Sequence, residues 1–169
     1  MGCDTGSGRH ETEKIDRMSL PRGNVNLPRP YRHGVVAVIV RDQRFLVIRR
    51  SLRVSAPGKL CFPGGGMEPD ETEPVAVERE LREELALDVM PVCRVWRSRP
   101  HERLKLSWWH VQIDPQAVPR PAPAEVAEYA WMDPRSLAEQ TDLLATNRHF
   151  LAAWRRREFE LAGFLPPGS

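Results

Sequence analysis

The chain has 169 residues, of which 41% are hydrophobic and 28% charged, and its net charge is +2. This size and composition are typical of a single globular domain, and the near-neutral charge gives no reason to expect nucleic acid or an anionic membrane as partner. No stretch approaches the roughly 20 apolar residues of a membrane span, and the polar first twenty residues lack the apolar segment of a secretion signal. Cys3, Cys61 and Cys93 lack metal-ligand spacing, which indicates reduced thiols in a cytoplasmic protein.

The two ends of the chain are predicted to lie outside the folded domain. Residues 1–33 are expected to form a flexible tail and an extended lead-in, because 1–20 show no periodicity and 21–32 hold three prolines. Residues 162–169 are expected to form a loose C-terminal tail, which leaves 34–161 as the domain. The β-branched run 35–40 predicts a buried strand, and 45–48 predict the second strand of a hairpin across a polar turn.

Arginines follow this hairpin. Arg49, Arg50 and Arg53 precede the segment 61–64, and a guanidinium presents paired donors that suit phosphate oxygens. Arg50 and Arg53 are therefore candidate substrate-binding residues. An ordinary solvated loop is the equal alternative.

The stretch 64–87, GGGMEPDETEPVAVERELREELAL, combines a glycine-rich turn with a predicted helix. Thr72 suits the N-cap and Pro74 the first turn, while Val77, Leu81 and Leu85 follow the spacing of a core-facing side. On the polar side, the carboxylates of Glu80, Glu83 and Glu84 converge and repel one another. A divalent cation such as Mg2+ or Mn2+ would reverse that repulsion, whereas a Glu-rich helix face elsewhere is most often simply solvated.

The spacing of these residues resembles the Nudix box. Its defined positions are Gly65, then Glu71 after five residues, then Arg79-Glu80-Leu81 after seven, then Glu83-Glu84 and Ala86-Leu87, each after one. Only Ala86 departs from the family pattern, which usually has Gly there. The resemblance implies an α/β fold of Nudix type, an α/β/α sandwich whose mixed β-sheet is flanked by helices.

The resemblance also implies roles for the box residues. Glu80, Glu83, Glu84 and the Gly64 carbonyl would hold Mg2+, or Mn2+ in its place. Glu83 is the candidate general base, although family members differ in where this base lies. Arg79 would pair with Glu71 and hold the Glu80 end of the helix in register.

Two strands are predicted after the box, at 89–96 and 104–113, separated by a polar turn that contains Pro100. Trp108 and Trp109 are adjacent, so in a strand they face opposite ways. One is expected in the core and the other could stack on a nucleobase; we take Trp108 as the substrate-binding candidate. The proline-rich segment 115–123 predicts a semi-rigid surface loop.

A further strand is predicted at 124–132, with a short helix after it to 140 that begins at the N-cap Asp133. In the family a glutamate beyond the box can complete the metal site. Glu128 is the first choice and Glu125 the second, against the alternative of an exposed strand-end carboxylate. The last predicted helix spans 147–161, with a solvated basic run at 155–157.

The resemblance implies a divalent-metal-dependent pyrophosphohydrolase that cleaves a nucleoside diphosphate linked to another moiety, by attack of water on phosphorus. The substrate would be a small nucleotide derivative, and a homodimer is compatible with the family. A nucleotide-sensing domain without catalysis is the alternative, and an isomerase or RNA-end hydrolase on the same fold is a third interpretation. Near-neutral charge and the lack of an RNA-binding extension disfavour the RNA version.

Overall fold

The computed structural model describes residues 32–166. The remainder of the predicted tails, 1–31 and 167–169, lies outside the described residues. In the described part, seven strands and three helices follow one another along the chain. They are β1 (Arg32–Val38), β2 (Val40–Arg41), β3 (Arg44–Arg50), β4 (Leu60–Cys61), α1 (Glu73–Leu85), β5 (Val89–His101), β6 (Leu104–Ile113), β7 (Val126–Met132), α2 (Pro134–Glu139) and α3 (Ala145–Arg155).

The strands form two groups. In the first, of order β1-β6-β5, β1 runs parallel to β6 and β5 runs antiparallel to it. In the second, β2, β4 and β7 each pair antiparallel with β3. The free side of β1 is occupied by the glycine loop, residues 63–67, since Val35 N donates to Gly65 O and Met67 N to His33 O, both at 2.9 Å.

The core has two layers, one on each face of these strands. One apolar cluster contains the inner side of α1 together with Val35, Ala37, Leu46 and Ile48. The other contains Phe150, Leu151 and Trp154 of α3 with Val36, Val38, Phe45 and Val47. Because successive strand residues point to opposite faces, the apolar runs of β1 and β3 supply both layers. The predicted α/β/α sandwich with a mixed sheet is thereby confirmed.

Several predicted boundaries are wrong. β5 continues through Pro100 to His101, so the turn lies at 102–103; β5 is the outer strand of its group, where proline is tolerated. α3 covers 145–155 instead of 147–161. The expected loose tail packs at least as far as Phe164, whose ring contacts Phe45 and Trp154 in the core.

Candidate active site

Helix α1 carries the acidic residues and is held against the sheet by its apolar side. Val77, Leu81 and Leu85 are buried as the spacing predicts. Thr72 occupies the N-cap position but makes no side-chain capping bond, and Pro74 lies in the first turn. At the other end, the proline-rich loop caps the helix, because Arg120 N donates to Leu85 O and Ala122 N donates to Glu84 O.

The glycine loop approaches α1 closely enough that side chains are excluded. Gly64 has φ 136°, and a Cβ there would collide with the carbonyl oxygen of Val35. A Cβ on Gly65 would overlap the carboxylate of Glu80. The box glycine therefore makes room for an acidic side chain on the facing helix.

Two box carboxylates are buried at this contact. Glu84 is 4% exposed and accepts the Gly64 N–H at 2.9 Å. Burial raises the pKa of Glu84 to about 8, opposed by the Gly64 N–H and reinforced by Glu80. Glu80 is 8% exposed, and burial raises its pKa despite its contact with Arg79. One N–H on Glu84 and one arginine on Glu80 do not offset the free energy of burying two ionised carboxylates, so a further cation would stabilise their ionised forms.

Arg79 lies across the acidic cluster. It donates to Glu71 at 2.9 and 3.1 Å, to Glu80 Oε1 at 2.9 Å, to Glu83 Oε2 at 3.1 Å and to the Gly66 carbonyl at 2.8 Å. The expected contact between Arg79 and Glu71 is thus present, and it lowers the pKa of Glu71. Arg79 joins Glu71, in the loop before α1, to the glycine loop, so it fixes the position of the chain where α1 begins.

The donor set fits a hard divalent cation in its chemistry. Glu80, Glu83 and Glu84 supply carboxylate oxygens, and the space above Gly65 admits the Glu80 side chain. Within residues 32–166, no group of three or more His, Cys, Asp or Glu side chains is already arranged around one point to hold a metal ion. Arg79 bonds to one oxygen of Glu80 and one of Glu83, so the other carboxylate oxygen of each has no bond to Arg79.

The structure places the two downstream glutamates in different surroundings. Glu128 has the same strand parity as Ala130 and Met132, which pack in the α3 layer, so it points away from α1. Its Oε1 accepts from Arg49 Nε at 2.7 Å, and Arg49 also pairs with Asp142. The choice of Glu128 as metal ligand is therefore wrong in this structure. Glu125 instead acts electrostatically on both Glu80 and Glu84, raising their pKa values.

A cavity of about 280 Å3 adjoins the glycine loop on the α3 side. Its walls come from β1, the loop, the segment 50–62 and the start of α3, and include Arg50, Cys61, Thr146 and Asn147. Asn147 is buried, accepts the Phe62 N–H at 2.6 Å and donates to Thr146 Oγ1 at 3.0 Å. Its amide is held in one orientation at the cavity wall.

The arginines predicted to bind substrate differ in their surroundings. Arg50 lines the cavity and donates to the Ser55 carbonyl at 2.7 Å and to Ser55 Oγ at 3.2 Å. It also acts electrostatically on Glu84, so it lies near the acidic cluster. Arg53 is exposed and is not among the residues that line the cavity.

Trp108 is the core member of the tryptophan pair, and its assignment to substrate stacking is wrong. It is 0% exposed, stacks on Phe150 with ring centroids 4.5 Å apart and donates to Ser98 Oγ at 3.0 Å. Trp109 lies on the α1 face and donates to Glu73 Oε2 at 3.0 Å. Glu73, Asn147 and Thr146 carry no signal in the sequence that would have singled them out.

The chain matches the model of the NUDIX domain over residues 30–154, and it therefore belongs to the NUDIX domain family. A CTP pyrophosphohydrolase of Escherichia coli K12 is 36% identical over 80 residues, covering 46% of this chain and 59% of that protein. An isopentenyl-diphosphate Delta-isomerase of Agromyces mediolanus is 34% identical over 111 residues, covering 57% and 52%. The chain thus spans little more than half the length of these curated relatives.

The solved structures agree on the fold. A MutT protein from Methanosarcina mazei superimposes with a TM-score of 0.69 at 26% identity, covering 78% of this chain and 98% of the other.

Between residues 32 and 166 there is no helix with the length and apolar character that crossing a membrane requires.

Proposed function

We propose that the protein is a divalent-metal-dependent pyrophosphohydrolase that cleaves a nucleoside diphosphate linked to another moiety. The observation that carries the proposal is the burial of Glu80 and Glu84 against the glycine loop, beside a cavity lined by Arg50. Membership of the NUDIX domain family supports the same activity. The similarity to a CTP pyrophosphohydrolase favours a nucleoside triphosphate as the first substrate to test.

The proposed cation ligands are Glu80, Glu83, Glu84 and the Gly64 carbonyl, with Glu125 in place of Glu128. Mg2+ is the expected ion and Mn2+ a substitute, because both prefer oxygen ligands and share coordination with substrate phosphates. When bound, such an ion neutralises phosphate oxygens and makes the attacking water more acidic.

The chain's own residues then orient the phosphates and accept the proton. Arg50 is placed at the cavity wall, where its remaining donors can reach a phosphate group. Glu83 is the proposed general base, since its side chain is 51% exposed and free to reorient once Arg79 releases it. Arg79 keeps its contact with Glu71 and so holds the helix while Glu83 moves.

The cavity is proposed to receive the nucleoside. Its volume suits a base or sugar, and the fixed amide of Asn147 offers directional hydrogen bonding at its wall. We expect the phosphates to extend from there across the glycine loop toward α1.

The first test is a substrate panel with Mg2+ or Mn2+. It contains CTP and other nucleoside triphosphates, ADP-ribose, dinucleoside polyphosphates, sugar nucleotides, coenzyme A and isopentenyl diphosphate. Products are separated by chromatography, and a run in 18O-labelled water shows by mass spectrometry which phosphorus the water attacked. Cleavage of one compound to a nucleotide, with 18O in a phosphate product, supports the proposal.

Removing the box carboxylates should abolish hydrolysis without unfolding the protein. We expect Glu83→Gln and Glu84→Gln each to lower kcat by at least about 100-fold, because each removes a charge needed at the reacting centre. Glu78→Gln on the same helix is the matched control and should retain activity. Thermal melting of all three variants checks the fold; wild-type turnover in both Glu83→Gln and Glu84→Gln would contradict the mechanism.

Two other outcomes lead to other functions. If nucleotides bind but none is cleaved, the domain senses nucleotide without catalysis. If isopentenyl diphosphate alone is converted, an isomerase is supported, as the second curated relative suggests. Cytoplasmic location and a homodimer remain predictions from the sequence and the family.

A further inference from the structure

At the start of α1, the side chain of Glu73 reaches across to the sheet. Thr72 makes no capping bond, and Pro74 has no N–H to offer in the first turn. Glu73, the first residue of α1, has a side chain that is only 12% exposed although it belongs to a surface-exposed turn. Glu73 lies in the seven-residue stretch between Glu71 and Arg79, where the Nudix box specifies no residue.

The carboxylate of Glu73 accepts hydrogen bonds from two strands and lies near a histidine on a third. Oε2 accepts from Arg94 Nη1 at 2.9 Å and from Trp109 Nε1 at 3.0 Å, which connects it to β5 and β6. Oε1 lies 3.4 Å from His33 Nε2 on β1. Arg94 is paired with Trp109 across the β5–β6 ladder, so both donors approach from one place on the α1 face.

Further cations surround this contact. Arg97 Nη2 lies 3.5 Å and Lys105 Nζ 4.0 Å from Glu73 Oε1. The Glu73 carboxylate is therefore the acidic partner of three permanently charged side chains, those of Arg94, Arg97 and Lys105. Neutralising Glu73 would remove the attraction that holds the start of α1 to these strand cations and would leave the cations close together without their common partner.

The same strand also positions the glycine loop. His33 O accepts the Met67 N–H, and two residues further along β1 Val35 N donates to Gly65 O. Glu80 lies seven residues beyond Glu73, about 10 Å along the helix axis, and its carboxylate rests against Gly65. Glu73 thus joins the helix that carries the acidic cluster to β5 and β6, and β6 pairs directly with β1, the strand that carries the opposing loop.

We propose that Glu73 is a positioning residue that fixes α1 against the glycine loop and thereby sets the spacing of the cation-binding carboxylates. The inference rests on the proposed function for its effect on catalysis, but not for its effect on cation binding. Displacements of about 1 Å at such a site are enough to reduce turnover greatly. Residues that orient metal ligands commonly affect affinity by 10- to 100-fold.

The test compares full-length Glu73→Gln with wild type in three measurements. Mn2+ binding is measured by electron paramagnetic resonance. The constants kcat and KM are measured with the nucleotide that the wild type cleaves. Folding is checked by thermal melting and circular dichroism. We expect Glu73→Gln to weaken Mn2+ binding about tenfold and to lower kcat about tenfold, with KM changing less than threefold. Asp88→Asn, which breaks the exposed pair with Arg82 at the other end of α1, should leave these values within twofold.

Two more variants separate positioning from stability. Glu73→Asp keeps the charge but is one methylene shorter, so it should fold and still lose part of the Mn2+ affinity. In Glu73→Gln/Arg94→Met, loss of the nearest of the three uncompensated cations should restore part of the melting temperature, while Mn2+ binding and kcat stay low. If both recover together with stability, Glu73 acts only through folding and the proposal is overturned.

The two proposals can fail independently. Unchanged Mn2+ binding and kcat in Glu73→Gln would overturn the positioning role while leaving hydrolysis intact. If wild type binds Mn2+ but hydrolyses nothing in the panel, the proposed function fails and the Mn2+ comparison alone decides on Glu73.

Discussion

Ala86 ends α1 with φ 51° and ψ 38°, in the left-handed region. This is the position where the family usually has glycine. The backbone makes the turn regardless, because Ala86 N donates to Arg82 O at 3.0 Å, as in an αL-type helix end, and Leu87 N donates to Leu81 O at 3.2 Å. The Cβ of an L-residue in this conformation costs roughly 1–2 kcal/mol. The departure from the motif therefore changes the stability of the helix end without changing its geometry.

We expect Ala86→Gly to raise the free energy of unfolding by about 0.5–1 kcal/mol, since relief of strain exceeds the added entropy of the unfolded chain. Urea denaturation measures this difference. Ala152→Gly within α3 is the matched control, and it should lower the free energy by about 1 kcal/mol because its residue is helical. A loss of equal size in both variants would show that the left-handed conformation at Ala86 carries no strain.

At the scale of elements, the junction of α1 with β5 and β6 depends on an ionised carboxylate. Burial opposes ionisation of Glu73, but hydrogen bonds from Arg94, Trp109 and Ser107 outweigh it and lower its pKa from 4.5 to about 2. Because its pKa is lower in the folded state, the ionised Glu73 carboxylate stabilises the folded protein fully above pH 4.5. This stabilisation is lost as the pH falls from 4.5 toward 2.

The difference between 4.5 and about 2 corresponds to about 3 kcal/mol at neutral pH. We expect wild type to exceed Glu73→Gln in free energy of unfolding by about this amount at pH 7, and the gap to close progressively below pH 4.5. Urea denaturation from pH 7 to pH 3 measures it. For the control Glu78→Gln, the difference from wild type in free energy of unfolding should be small and independent of pH. A difference for Glu73→Gln that is also independent of pH would mean that the charge of Glu73 does not stabilise the junction.

At the scale of the whole molecule, local patterns predicted the elements and the acidic cluster, but not the faces that tertiary packing selects. The helix at the box, β6 and the cap at Asp133 follow from periodicity and capping residues. The predictions for Trp108 and Glu128 are wrong because a strand's alternation says which residues share a face, not which face meets α1. Contacts such as those of Glu73 depend on residues distant in sequence, so no local pattern reports them.

The whole fold should respond to a divalent cation, because Glu80 and Glu84 are buried in the folded chain, where a cation stabilises their ionised form, and solvated in the unfolded one. An ion that binds only the folded state stabilises it by about 2.7 kcal/mol at one hundred times its Kd, which for a domain of this size is a rise in Tm of about 5–10 °C. We expect Mg2+ or Mn2+ to produce this rise and EDTA to reverse it. Sodium chloride at equal ionic strength is the control for screening.

The same melting experiment identifies the residues that hold the ion. Glu84→Gln should lose most of the rise because it removes a ligand from the acidic cluster, while Glu78→Gln on the same helix should keep it. Glu128→Gln should also keep the full rise, since Glu128 lies on the other face with Arg49. A full rise in Glu84→Gln would place the ion away from the box, whereas its loss in Glu128→Gln would return that residue to the metal site.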